Sequence, residues 1–213
     1  MSSDKTSEQK ALIEAIKYRK FREVKRLIEE CGCNPNVADN KGNTLLHITA
    51  RCEYDVYTAN DYYNIVEYLV EKCHCDPNVA NNYGITPLHS AAIHGHYNIV
   101  KYFIRWCDCN PNVVDIDGYT PLHYAAMWDR YGIVKYLIEE CHCDPNVVDN
   151  DGNTPLHFAA RHNEWIDIVK YFIEKCHCNP NVANKNGNTP SILAKKWVNK
   201  TIYEYLEKYQ SKA

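Results

Sequence analysis

Apolar residues fall in short stripes along this chain, and the stripes repeat. Leu122, Ala125 and Ala126 make a narrow apolar face. After a polar break at Asp129-Arg130, Ile133, Val134, Leu137 and Ile138 make a second one at i, i+1, i+4 and i+5. That spacing predicts a short helix, a turn and a second helix, each with one buried stripe. The same pair recurs wherever Ala-Ala is followed by Ile-Val-x-Tyr-(Leu/Phe)-(Ile/Val). Two amphipathic stretches near the start follow the plan as well: Ala11, Leu12, Ala15 and Ile16, then Phe21, Val24, Leu27 and Ile28. The chain reads as helix pairs from end to end.

Polar landmarks punctuate these pairs. Cys-x-Cys-(Asn/Asp)-Pro-Asn-Val begins at Cys31, Cys73, Cys107, Cys141 and Cys176. A second landmark, Gly-x-Thr-Pro-Leu-His in its full form, has its threonine at Thr44, Thr86, Thr120, Thr154 and Thr189. Both series step by 42, 34, 34 and 35 residues. A fixed period in this range means a solenoid, because one such unit cannot bury its apolar face alone. Asp115-Ile116-Asp117-Gly118 predicts a turn, since Asp accepts backbone hydrogen bonds and Gly118 tolerates positive φ. Thr120 is placed as N-cap and Pro121 at the first helical position, where its missing N–H costs nothing. The second helix is expected to stop near Cys143-Asp144-Pro145, because a residue before proline disfavours helical geometry. Asn146-Val147-Val148 is then expected to run extended into the next turn.

This unit resembles the ankyrin repeat, whose Thr-Pro-Leu-His-x-Ala signature and period of about 33 residues it nearly reproduces. Residues 86–89, 120–123 and 154–157 match Thr-Pro-Leu-His in full. Thr44-Leu45-Leu46-His47 lacks the proline, and Thr189-Pro190-Ser191-Ile192 lacks the histidine. The period here is one residue longer than the family norm, and the extra residue falls in the Cys-x-Cys-Asn-Pro segment. The resemblance implies an all-α ankyrin-repeat solenoid, helix-turn-helix units joined by β-hairpin-like turns, with about six repeats including two caps. It divides a single domain, 1–213, into an N-terminal cap repeat 1–38, a second repeat with an insertion 39–80, repeats 81–114, 115–148 and 149–183, and a C-terminal cap repeat 184–213. Tyr205, Leu206 and Tyr209 are expected to close the last unit.

Composition narrows the function. Hydrophobic residues make up 45% and charged residues 24%, a globular balance, and the formal net charge is −3. Lys and Arg are spread through the repeats, so the basic stripe that neutralises nucleic-acid phosphates is missing. No apolar run approaches the ~20 residues that span a bilayer. The N-terminus Met1-Ser2-Ser3-Asp4-Lys5 has no apolar signal core. The expected location is therefore intracellular and cytoplasmic, including delivery into a host cell.

Ten of the eleven cysteines lie in Cys-x-Cys pairs, three of which enclose a histidine (His74, His142, His177). Zinc needs four ligands around one point. Repeats spaced ~8–10 Å apart give a ladder of pairs rather than a cage, and the same spacing exceeds the reach of a disulfide. One cysteine of each pair is accordingly read as a small buried hydrophobe, and Cys52, outside the ladder, as the exposed thiol. A metal-binding or redox-sensing ladder is the alternative function. His47, His89, His123 and His157 are read as structural, bonding backbone or threonine oxygens near the turn. None has a nucleophile placed beside it by spacing, so no catalytic residue, enzyme activity or cofactor is expected. Asp115-x-Asp117-Gly118 and Asp149-x-Asp151-Gly152 lack the remaining ligands of a calcium loop and read as turns. Tyr68, Tyr102, Tyr136 and Tyr171 are expected to stack along the outer face with wet hydroxyls.

What varies between copies is the signal for a partner. The resemblance implies that partners contact the hairpin tips and first helices, the concave side. The positions that do not pack there are Tyr83, Ile85, Ile93 and His94 in the third repeat. The fourth contributes Ile116, Asp117, Tyr119, Met127 and Trp128, and the fifth Asn150, Asn153, Arg161 and His162. A central group of aromatic, Ile and Met side chains with a polar rim suits a protein interface. The insertion at 52–60 is either an added contact or a harmless extension. The expected function is a non-enzymatic protein–protein interaction module, monomeric, and serving as adaptor, inhibitor or host-directed effector in host–symbiont interaction.

Overall fold

The computed structural model describes residues 2–52, 59–162 and 166–210, with side chains over 7–52, 61–161 and 166–209. It divides into two compact units, Met1–Cys109 and Asn110–Ala213. The first holds α1 (Ser2–Lys17), α2 (Phe21–Glu29), α3 (Leu45–Ala50), α4 (Ala59–Glu71), α5 (Pro87–His94) and α6 (Tyr97–Trp106). The second holds α7 (Pro121–Met127), α8 (Tyr131–Glu139), α9 (Pro155–His162), α10 (Ile166–Lys170), α11 (Pro190–Lys196) and α12 (Lys200–Gln210). In the first unit α1, α3 and α5 stack in sequence, with α2, α4 and α6 behind them. In the second, α7, α9 and α11 form the front row, and α8, α10 and α12 the back. The core lies between the rows, as the stripes predict. Leu122, Ala125, Ala126, Ile133, Val134 and Leu137 are buried, as are their counterparts in the next repeat, while Ile138 is half-buried. The small Ala-Ala faces let front helices approach closely. Replacing a buried leucine such as Leu122 by alanine costs roughly 2–5 kcal/mol at such a site.

Each turn between repeats is built on one side chain. Asp115 Oδ1 accepts from the N–H groups of Asp117 at 3.0 Å and Tyr119 at 2.8 Å. Asn81 and Asp149 do the same for Tyr83 and Ile85 and for Asp151 and Asn153. This explains why only Asp or Asn opens the turn. Gly118 has φ +81°, and a Cβ there would meet Asn150 Oδ1 at 2.8 Å and Asn150 N at 2.9 Å, so neighbouring tips touch where only glycine fits. The expected hairpin-like pairing is not found: among the described residues β-pairing is limited to one antiparallel bridge, Ala38 with Thr44.

The Cys-x-Cys landmark turns out to be a helix terminator. The middle residue of each pair is left-handed, with φ +67° at Gly32, +54° at His74, +51° at Asp108, +55° at His142 and +54° at His177. The second cysteine's N–H reaches back six residues in all five copies, as from Cys143 to Leu137 O at 2.9 Å. The first cysteine reaches back five where Cys141 bonds Tyr136 O at 3.2 Å. The extra residue of the 34-residue period is therefore absorbed as a wide, π-type closing turn. In the fifth repeat α10 runs on as a π-helical turn over Tyr171–Lys175. Helix α8 consequently ends at Glu139, earlier than Cys143-Asp144-Pro145. The left-handed His142 stops it before Pro145 acts, and Asp144 Oδ1 then accepts from Asn146 N at 2.8 Å, so Asn146 lies in a turn and only Val147-Val148 is left for the arm.

Candidate partner-binding surface

Within each unit the threonine and histidine of the signature carry a bond network from one repeat to the next. In the fourth repeat Thr120 N donates to His123 Nδ1 at 3.1 Å, and His123 N donates to Thr120 Oγ1 at 3.3 Å. Because Nδ1 accepts, the ring proton sits on Nε2, which donates to Asn153 O of the next repeat at 3.1 Å. His47 and His157 repeat this with Ile85 O at 2.9 Å and Asn188 O at 3.1 Å. Burial holds all three rings below the ordinary histidine value. The signature histidines are thus rivets between repeats. They leave the intervening positions to face outward.

Those positions differ among themselves. In the first unit Tyr83 is 51% exposed at its tip, while Ile85, Ile93 and His94 are half-buried. His94 Nδ1 lies 2.9 Å from Ser90 O on its own helix. In the second unit Ile116 is 60% and Trp128 52% exposed, Asp117 is exposed, and Met127 is half-buried. Trp128 caps the C-terminal end of α7 and does not fold into the core. Tyr119 is half-buried, its ring edge-on to Tyr124 at 5.5 Å and to Phe158 at 5.2 Å. Burial first, then the carboxylates of Asp149, Asp117, Asp151 and Asp115, raise its hydroxyl above the ordinary value.

Two asparagines taken from sequence as rim positions are engaged within the array. Asn150 Nδ2 donates to Ile116 O at 3.0 Å. Asn153 Nδ2 donates to Asp149 Oδ2 at 2.9 Å, and its Oδ1 accepts from Asn184 Nδ2 at 2.6 Å. Arg161 is half-buried, its guanidinium 4.6 Å from the Trp197 ring centroid, and its Nε has no hydrogen-bond partner among the described residues. The side chain of His162 and the inserted residues 53–58 lie outside the described residues.

Sequence reasoning passed over Tyr124. It sits on α7 one turn before Trp128, on the same face, and its hydroxyl donates to Asp115 Oδ2 at 2.6 Å. The i, i+4 spacing of Tyr124 and Trp128 was the available signal.

The chemistry away from this face resolves into packing. Cys33, Cys75, Cys109, Cys143 and Cys178 are buried, their partners half-buried, and all eleven cysteines are free thiols. Cys52 is half-buried rather than exposed, since its thiol donates to Ile48 O at 3.1 Å and burial raises it above the ordinary value. Among the described residues no group of three or more His, Cys, Asp or Glu side chains could hold a metal ion. The tyrosine ladder is buried along the back row, and its hydroxyls are bonded rather than merely wet. Tyr68, Tyr102 and Tyr171 donate to Glu29 at 3.0 Å, Glu71 at 3.3 Å and Glu139 at 3.0 Å, each in the preceding repeat. No described helix is long and apolar enough to cross a membrane.

Within each unit, helix pairs stacked in sequence with a bonded interior and turn tips between them define a repeat scaffold. A family model for ankyrin repeats in three copies matches residues 54–149 and 130–212. The chain belongs to the ankyrin-repeat family, a fold class associated with non-enzymatic protein–protein interaction. No curated protein matches the chain.

Proposed function

We propose that this protein works by holding another protein against its turn tips and front helices. One observation carries the reading: Ile116 and Trp128 are large apolar side chains, 60% and 52% exposed, at tip and helix-end positions that the repeat's own packing does not use. Exposed aromatic and aliphatic groups on one repeat mark binding surfaces. The repeats are already held by histidine and asparagine bonds, so little ordering is lost on binding. Aspartates at tips 115–119 and 149–153 disfavour a phosphate backbone, which makes the partner a protein rather than a nucleic acid. The array acts as a monomer and has no chemistry of its own, so its effect comes from the partner it recruits, blocks or displaces.

The test uses Ile116→Ala and Trp128→Ala together, with affinity capture and mass spectrometry of what each protein retains. Helicity should be unchanged, because both side chains are largely outside the core, and the specific partner should be lost. Retention of the same partner by the double variant would sink the reading. Tyr119→Ala is a poorer probe, since its ring packs on Tyr124 and Phe158 and its removal also weakens the fold.

A further inference from the structure

We infer that the second unit's front face receives a segment carrying a cationic side chain and, three or four residues away, an apolar one. The inference rests on the proposed tip-and-front-helix site and names the chemistry of its occupant. Tyr119, Tyr124 and Trp128 form an aromatic stripe from the tip of the fourth repeat to the end of α7. Tyr119 and Tyr124 meet at 5.5 Å, and Trp128 lies one helical turn beyond Tyr124. At its tip end the stripe is rimmed by acid. Turn segments 115–119, 149–153 and 184–188 contain four aspartates and one lysine. That lysine, Lys185, donates from Nζ to Asn150 O at 2.6 Å. Asp115 and Asp149 shape the turns, whereas the Asp117 and Asp151 side chains are exposed. A guanidinium or ammonium seated beside Tyr119 meets the exposed Asp117 and Asp151 carboxylates at the end of the aromatic stripe.

The other end of the stripe asks for something different. Asp129 and Arg130 follow Trp128 in the sequence, and Arg161 in the next repeat is stacked on Trp197. Charge there is mixed, and the exposed indole with the half-buried Met127 beside it in the chain suits an apolar group. The Tyr119 and Tyr124 rings are 5.5 Å apart and Trp128 lies one helical turn, about 5.4 Å, beyond Tyr124, roughly 11 Å in all. An extended segment covers that in three to four residues. Recognition is therefore by a short bipartite pattern, cation at the tips and apolar side chain at the helix end.

Random-peptide selection on the immobilised full chain, followed by affinity measurement of the selected peptides, tests this. Selected sequences should carry Arg or Lys three or four positions from a large apolar residue. Their affinity should fall roughly tenfold or more in Asp117→Asn/Asp151→Asn, and on raising salt from about 50 to about 500 mM, as charge pairing requires. Trp128→Ala should also lose affinity, without the change in salt dependence. Peptides lacking cations, or binding insensitive to Asp117→Asn/Asp151→Asn, overturn the cationic occupant. If such peptides still depend on Trp128, the front-face site survives; if they ignore Trp128 as well, both fall. An empty selection by the folded array overturns the inference, which requires no more than one extended segment.

Discussion

His123 Nε2 donates to the main-chain carbonyl of Asn153, 3.1 Å away in the following repeat, while its Nδ1 accepts from Thr120 N–H. One neutral ring therefore caps its own helix and ties two repeats together. Replacing His123 by alanine leaves a buried donor and acceptor unpartnered and should cost roughly 2–4 kcal/mol. Urea denaturation of the variant measures it. A cost near zero would mean the ring only fills space.

The same rings make the array acid-sensitive. Burial lowers His47, His123 and His157 below their ordinary value of 6.5, although their bonds to the next repeat partly offset this. The unfolded chain takes up protons near that value, which the folded rings resist. Their contribution is fully present above it and is lost as pH falls from there through the lower folded value. The urea midpoint should therefore drop between about pH 8 and about pH 5. A midpoint that stayed level or rose would contradict the assigned tautomer.

Val198 occupies the left-handed position that ends α11, at φ +64°, where Gly95 stands after α5. A β-branched residue is strained there, and at 86% exposure it buries almost nothing in return. Val198→Gly should stabilise the chain by about 1 kcal/mol, raising Tm by about 2–4 °C. Calorimetry decides. A fall in Tm would show that flexibility of the unfolded glycine outweighs the relief of strain.

The cysteine rows should react unequally. Burial pushes Cys75, Cys109 and Cys143 up to about 12, keeping them as thiols at neutral pH. Alkylation of the native protein should modify the half-buried first cysteines before the buried second row, and reach all eleven only on unfolding. Protein purified without chelator should carry less than one zinc per chain. Stoichiometric zinc, or second-row thiols as reactive as the first, would revive the ladder as a functional site.

Much of the scaffold was legible because its local and tertiary demands coincide. Thr120-Pro121 starts a helix by rules that need no neighbour, and the Ile133-Val134-Leu137 stripe has one way to be buried. Other features were not legible. Pro145 looked like the helix stop, yet His142 ends α8 first, because a left-handed non-glycine residue is marked only weakly by its type, here by Gly32 at the same place in the first copy. Cys52 looked exposed for standing outside the ladder, but its thiol bonds its own helix at Ile48 O. Tyr171 looked solvated until the following of one repeat by the next brought Glu139 within 3.0 Å.

For the binding face, the sequence by itself determined which positions vary between copies, since the repeat subtracts everything that packing requires. Only the tertiary structure sorted those positions. Asn150 is taken into a bond with the preceding tip and Asn153 into one with the next, Arg161 is drawn onto Trp197, and Ile116 and Trp128 are left outside. The reason is physical. A repeat's period states where a side chain starts, but whether it reaches a neighbour or the solvent depends on the few ångströms between stacked units.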